Sequence, residues 1–347
     1  MKNLFLFLFL IFMPVISYSV SSGTFTVNQW GTGNYTSLSS AEAGLQGVLI
    51  STCYIVITGS WTVSDSAVAF SGWTTFSTAP IIVQATGLSR HLGIWNNSCY
   101  RISSSIDYGG SIFLGATSRN IIIDGVQLQQ LSPVYSYDIR DDSLQTDRTR
   151  IISNCILTGS TYYQNMYAYY DNGSGRCHIK IYNNIIYSVQ NGLRCVATVA
   201  NSTVTIYNNT ISSCLVRGID LYSSWQLAGG SLHLKNNLIQ AGTCYYLDWS
   251  GTGSNAQSNN VSSDESGTSG YRNQISSFVA SQDNNYHLLA NDTTAYTKGV
   301  NLSNDGVLSF NTDIDGQTRL DLWTIGADDI PTLANKRRRV RRPIVLD

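Results

Sequence analysis

The sequence predicts an all-β chain wound as a parallel β-helix, a solenoid with an N-terminal cap and an irregular C-terminal closing segment. The first observation is a returning phrase: Ile122-Ile123-Asp124-Gly125-Val126, Ile152-Ser153-Asn154-Cys155-Ile156, Ile181-Tyr182-Asn183-Asn184-Ile185, Ile206-Tyr207-Asn208-Asn209-Thr210 and Leu234-Lys235-Asn236-Asn237-Leu238. Counted from Gly125 through Asn154, Asn184, Asn209 and Asn237, the steps are 29, 30, 25 and 28 residues, the length of one solenoid coil. The second is local: each copy is short, β-branched and broken by polar residues, which reads as strand, bend, strand. Coils stacked about 4.8 Å apart pair every strand with the next one, and like residues fall above like. An Asn at each bend tolerates a left-handed backbone and is placed to bond its counterpart one coil away. The third is composition: only 12% of the 347 residues are charged, while Ser, Thr, Asn, Gly and Tyr abound. Hydroxyls and amides solvate such a surface, as in extracellular β-proteins.

In chain order, residues 1–19 read as a signal peptide. Lys2 supplies the positive start, Leu4 to Met13 the apolar run, and Ser17-Tyr18-Ser19 a small-x-small cleavage site. That run is short for a bilayer span and nothing later reaches membrane length, so secretion without a transmembrane segment is expected. Residues 20–101 form the cap and first irregular coils, with Ala41 to Gln46 as a helix over the first core layer. Residues 102–261 carry the regular coils. The polar stretch Ser262 to Gln274 opens a loop, and the closing segment runs to 330. Residues 331–347 form a basic, disordered tail. Six of the 21 basic residues lie between Lys336 and Arg342, leaving 15 in the body against 22 acids.

The closing segment presents Tyr286-His287-Leu288, Lys298-Gly299, Asp313-Ile314-Asp315-Gly316-Gln317-Thr318-Arg319 and Ile325-Gly326-Ala327-Asp328 in that order. It resembles the end of many secreted bacterial right-handed parallel β-helix proteins of the pectin-lyase-like superfamily, where an aromatic-x-Leu, a small-residue-Gly step, a DxDGxxR turn and an IGA-acid strand follow one another. Lys298 departs from the small residue usual before that Gly. The resemblance covers about two-thirds of the chain and implies the fold, its right hand and an extracellular setting. The superfamily holds lyases, hydrolases, adhesins and phage spikes, so activity does not follow from it.

Seven cysteines at 53, 99, 155, 177, 195, 214 and 244 show no CxxC pair or His cluster, and export would permit disulfides with one thiol left over. Cys155, Cys195 and Cys214, inside the repeats, read as small core fillers.

Chemistry is sought by aligning the strands downstream of the bends: Met166-Tyr167-Ala168-Tyr169, Leu193-Arg194-Cys195-Val196, Ile219-Asp220-Leu221-Tyr222 and Leu247-Asp248-Trp249-Ser250. Alternation turns Met166, Leu193, Ile219 and Leu247 inward. Tyr167, Arg194, Asp220 and Asp248 then form one exterior column, with Tyr169 and Tyr222 beside it. Aromatic faces suit sugar rings and charged groups suit hydroxyls or uronates, so an extended polysaccharide or cell-surface glycan is the expected partner. Arg194, Asp220 and Asp248 are the catalytic candidates for a lyase or hydrolase, and Tyr167, Tyr169 and Tyr222 the substrate-binding ones. Two carboxylates one coil apart match the roughly 5–5.5 Å of retaining glycosidases; alternatively they hold Ca²⁺ while Arg194 acts on an acidic sugar. A plain stacked ion pair is the competing account. No known catalytic motif is complete: Gly-His-Gly is absent, and Arg176-Cys177-His178-Ile179-Lys180 is not the Arg-Ile-Lys of polygalacturonase-like hydrolases. Binding or surface attachment is therefore favoured over catalysis, with a structural cell-surface or virion rod as the third reading.

The remaining candidates read as structural. Asp138-Ile139-Arg140-Asp141-Asp142 with Asp147, Arg148 and Arg150 suggests a protruding charged loop. Asn311-x-Asp313-x-Asp315-Gly316 imitates half an EF-hand but has Leu322 at the twelfth place, so a turn locked by Arg319 against Asp313 or Asp315 is expected. His91, His178, His233 and His287 have no acid at a telling spacing. The basic tail lacks aromatic residues, which argues against specific nucleic-acid recognition.

Overall fold

The computed structural model describes residues 19–20, 23–49, 51–75, 79–115, 120–159, 166–173, 175–195, 201–221, 230–247 and 254–330. Residues 1–18 of the expected signal peptide and the whole basic tail lie outside them. No helix among the described residues is long and apolar enough to cross a membrane.

The chain is a parallel β-solenoid. One nine-stranded sheet stacks Gly23–Val27, Cys53–Ile57, Ile81–Ala85, Asn120–Asp124, Arg148–Ser153, Cys177–Tyr182, Thr203–Tyr207, Ser231–Lys235 and Ser254–Ser258 in chain order, every pairing parallel. After each bend comes a short strand, as in Gln127–Gln130, Ile156–Thr158 and Ile185–Tyr187. A third run follows, as in Ser136–Asp141, Met166–Asp171 and Asn191–Cys195. In Thr210–Leu221 and Leu238–Leu247 the second and third runs merge into one long strand. Period-2 alternation of Ile, Val and Leu fills the interior, for example Ile179 and Ile181 beneath Val204 and Ile206, all without solvent exposure. The helix Leu38–Leu45 caps the first layer, with Leu38, Ala41 and Leu45 buried. Its buried Glu42 accepts from Trp73 Nε1 at 3.1 Å and from the Ser71 amide at 3.0 Å.

The two roles expected of one bend asparagine are divided between neighbours. Asn154, Asn183, Asn208, Asn236 and Asn259 take φ between 49 and 55°, and Gly125 takes 72° at the same place. The next residue builds an interior ladder: Asn184 Nδ2 donates to Asn209 Oδ1 (2.9 Å), Asn209 to Asn237 (3.1 Å) and Asn237 to Asn260 (3.0 Å). The true register thus sets Asn154 above Asn183, one residue from the alignment on Asn184 that the repeat suggests. All seven cysteines are free and buried. Burial pushes the Cys53 thiol up to about 11 and Cys155 and Cys177 up to about 12.

The charged stretch 138–150 is not a protruding loop. Ser136–Asp141 and Arg148–Ser153 are regular strands, and alternation aims Asp141, Arg148 and Arg150 into the interior. Asp141 and Asp171 occupy one interior column with Leu114, Cys195 and Leu221. Arg148 bonds Asp171 at 2.6 Å and Arg150 bonds Asp141 at 2.8 Å, so two cations and two anions neutralise each other inside the coil.

The closing segment runs back along the coils as a strap instead of ending them. Asn259 Nδ2 donates to Lys298 O, Asn236 Nδ2 to Val300 O, Asn208 Nδ2 to Gly326 O and Asn183 Nδ2 to Thr312 O, so successive bends grip it. Tyr286, Ile314 and Ala327 cover the outward Ile156, Ile185 and Tyr187 of the short strands. Arg319 does not lock the turn by an ion pair. Its guanidinium is buried and donates to the carbonyls of Thr312, Thr324, Gly326 and Ala327 and to Asn183 Oδ1.

Candidate functional site

The third run of each coil shows a break in alternation that places the site. At 137–141, 167–171, 191–195 and 217–221 the order is outward, bend, inward, outward, inward, so two successive residues turn away from solvent. The bend position holds Asp138, Ala168, Gly192 and Gly218. A Cβ on Gly192 would meet Gly218 O at 2.3 Å, which is why glycine stands there.

Two columns result that face out of the coil, although Tyr137, Tyr167, Asn191 and Asp220 within them are buried. One reads Phe113, Arg140, Tyr170, Arg194, Asp220, Tyr246, each residue in register with the next. Its neighbour reads Gly110, Tyr137, Tyr167, Asn191, Arg217, Thr243. Arg194 and Asp220 therefore share a column as expected, although Arg194 Nε lies 3.9 Å from Asp220 Oδ2. Tyr167 stands in the adjoining column and reaches across, its hydroxyl accepting from Arg194 Nη1 at 3.1 Å.

Tyr169 is a correction. It is fully buried, in register with Ile139, Leu193 and Ile219, because the bend at Ala168 shifts parity by one; Tyr170 takes the outward place. Tyr246 stands opposite Asp220 in the register. Asp248 and Tyr222 lie outside the described residues.

The face is built of guanidinium–ring contacts. Arg140 lies over Tyr137 (5.2 Å) and Phe113 (5.8 Å), Arg194 over Tyr170 (5.5 Å) and Tyr167 (5.7 Å), and Arg217 over Tyr246 (3.9 Å). Tyr137 stacks on Tyr167 with centroids 5.8 Å apart. Arg217 Nη1 bonds Asp220 Oδ2 at 2.8 Å and Arg140 bonds Asp142 at 2.5 Å. Burial opposes the charge of Arg194, but the Tyr167 hydroxyl and Asp220 outweigh it and raise its pKa. Burial pushes Tyr137 up to about 12 against the pull of Arg140 and raises Tyr170 as well, so both phenols stay neutral donors. Depressions flank the columns: one of about 360 Å³ beside Tyr108, Phe113 and Arg140, and one of about 290 Å³ between Tyr167, Asn191, Arg217 and Asp220.

Asp220 does not fit a calcium site. Its carboxylate faces two guanidinium groups, whereas Ca²⁺ takes 6–8 oxygen ligands. The sequence reading missed Tyr170, Arg217 and Tyr246. Counting back from Arg194 instead of forward from Met166 would have found Tyr170, had the small residues at 168, 192 and 218 been read as a bend. No family model, curated protein or solved structure matches the chain.

Proposed function

We propose that the protein is a secreted β-solenoid that binds an extended anionic polysaccharide along the Phe113–Tyr246 column and its neighbour. The observation that supports this reading is a column over six strands, about 24 Å at about 4.8 Å per step, in which rings and guanidinium groups alternate from Phe113 to Arg194 before Asp220 and Tyr246. The accessible rings of Phe113, Tyr170 and Tyr246 offer apolar faces to sugar C–H surfaces, and Arg140, Arg194 and Arg217 offer planar donor pairs to carboxylate or sulfate. A polymer suits the site because it repeats along the stacking axis, as the columns do. Binding is favoured over cleavage because the only described carboxylate within the columns, Asp220, is engaged by Arg194 and Arg217 and has no acid opposite it.

The test is affinity electrophoresis and calorimetry with neutral, uronate and sulfated polysaccharides, following unsaturated products and reducing ends in parallel. Retention by the anionic polymers, lost in Tyr170→Ala with Arg194→Gln at unchanged circular dichroism, is expected. Equal retention of the double variant would sink the assignment of the face, and product formation would convert the reading to an enzyme.

A further inference from the structure

The strap carries a second cluster that the carbohydrate reading does not use. His287 Nε2 lies 3.0 Å from Asp315 Oδ1, and one ligating atom from each of His287, Asp315 and Asp328 falls within 4.8 Å of the other two. The three come from separate pieces of the closing segment: the strand Asn285–Leu288, the Asp-Gly turn and the final acidic step.

Each ligand is held from behind. His287 Nδ1 is 2.7 Å from Asn285 Oδ1, which can only accept, so Nδ1 carries a proton and Nε2, now hydrogen-bonded to Asp315, is the nitrogen that an ion would take in exchange for its proton. Metal-bound histidines are oriented in this way. Asp315 Oδ2 accepts from Gln317 Nε2 (2.8 Å) and Asp328 Oδ2 from the Leu288 amide (3.1 Å). Space is reserved in front: a Cβ on Gly93, whose φ is 69°, would sit 2.5 Å from His287 Nε2 and 2.6 Å from Asp315 Oδ1.

Charge points the same way. Asp313 and Asp328 are buried beside Asp315, while the Arg319 guanidinium donates to carbonyls and an amide. Three carboxylates thus face one arginine and one histidine, an excess of negative charge in a largely buried place.

We infer that His287, Asp315 and Asp328 bind a divalent transition-metal ion of the zinc class, with Gly93 leaving the fourth position open. One imidazole nitrogen with two carboxylate oxygens suits Zn²⁺ or Mn²⁺, whereas Ca²⁺ prefers an all-oxygen shell. The 3.0 Å edge between His287 and Asp315 is close to the roughly 3.3 Å edge of a tetrahedron with bonds of about 2.0–2.1 Å. The ion draws Asp328 in and fastens three parts of the strap at the point where it meets the Gly93 loop.

The experiment is titration of the chelator-treated, full-length protein with ZnCl₂, MnCl₂ and CaCl₂, read by calorimetry and thermal unfolding. One equivalent of Zn²⁺ or Mn²⁺ raising Tm is the expected result. His287→Gln and Asp328→Asn retain hydrogen-bonding capacity, and each should weaken binding about tenfold or more with unchanged circular dichroism. Should either variant fold poorly, Asn285→Ala, which releases the imidazole and the His287 amide and leaves all three ligands in place, should weaken binding by about tenfold. No saturable binding, binding unchanged in all folded variants, or a preference for Ca²⁺ would overturn the inference and leave a plain His287–Asp315 ion pair.

Discussion

Asn209 lies between Asn184 and Asn237 in the interior and bonds both. Its Oδ1 accepts from the Asn184 amide (3.0 Å) and side chain (2.9 Å), and its Nδ2 donates to Ile181 O (2.9 Å) and Asn237 Oδ1 (3.1 Å). The ladder takes up the bend amides of successive coils, while the carbonyls of Asn184 and Asn209 accept directly from the Thr210 and Leu238 amides. Asn209→Ala leaves several buried groups unpartnered at about 1–3 kcal/mol each. We expect a loss of about 3–5 kcal/mol in urea unfolding; a loss below about 1 kcal/mol would show that water replaces the amide.

The buried quartet of Asp141, Asp171, Arg148 and Arg150 behaves as a unit. Asp141→Asn removes an anion from between two buried guanidinium groups and should destabilise by about 3–5 kcal/mol. Replacing all four by apolar residues of similar volume should restore most of that, because the quartet's desolvation cost disappears with its charges. Equilibrium unfolding of both variants checks the pair of outcomes.

Tyr169 and Tyr170 are adjacent but face opposite ways. Tyr169→Ala empties an interior site and should cost about 3–5 kcal/mol with the exterior columns unchanged. Tyr170→Ala should alter stability by about 1 kcal/mol or less and weaken polysaccharide binding. Melting curves paired with calorimetry separate the two; a large Tm loss in Tyr170→Ala would contradict the outward placement.

His91 is fully buried, and burial followed by the neighbouring Arg90 charge lowers its pKa to about 3, against weaker opposing pulls from a backbone hydrogen bond at Asn154 and from Asp315 and Asp124. The unfolded chain takes a proton on this imidazole below about pH 6.5, and the folded chain does not until about pH 3. Stability is therefore full above pH 6.5 and falls as pH drops through that window, by at most about 1.4 kcal/mol per unit from this group. His91→Asn should remove this part of the slope in unfolding measured between pH 6.5 and 4.

The repeating phrase revealed the solenoid because stacking forces like residues to recur, and the Asn bends recur with it. It was one residue out because two neighbouring asparagines perform different tasks, the left-handed bend and the ladder, and the sequence writes both with one letter. The exterior columns were half legible. Arg194 and Asp220 emerged from alternation, whereas Tyr170 was hidden by an extra bend residue that shifts parity. His287 and Asp315 are 28 residues apart, and only the path of the strap brings them together.

A solenoid whose coils touch only their neighbours approximates a one-dimensional chain of nearly independent units, free to fray from either end. The strap changes that arithmetic: contacts such as Arg319 to Asn183 and Asn208 to Gly326 span 136 and 118 residues of sequence. Such links couple distant coils, so opening one bend loosens its grip on the segment that also holds the others. Unfolding should then follow one cooperative transition, and the long-range closure makes the strap a late and slow event in folding. The bend asparagines, apart from their local conformation, set the size of the unit that melts together.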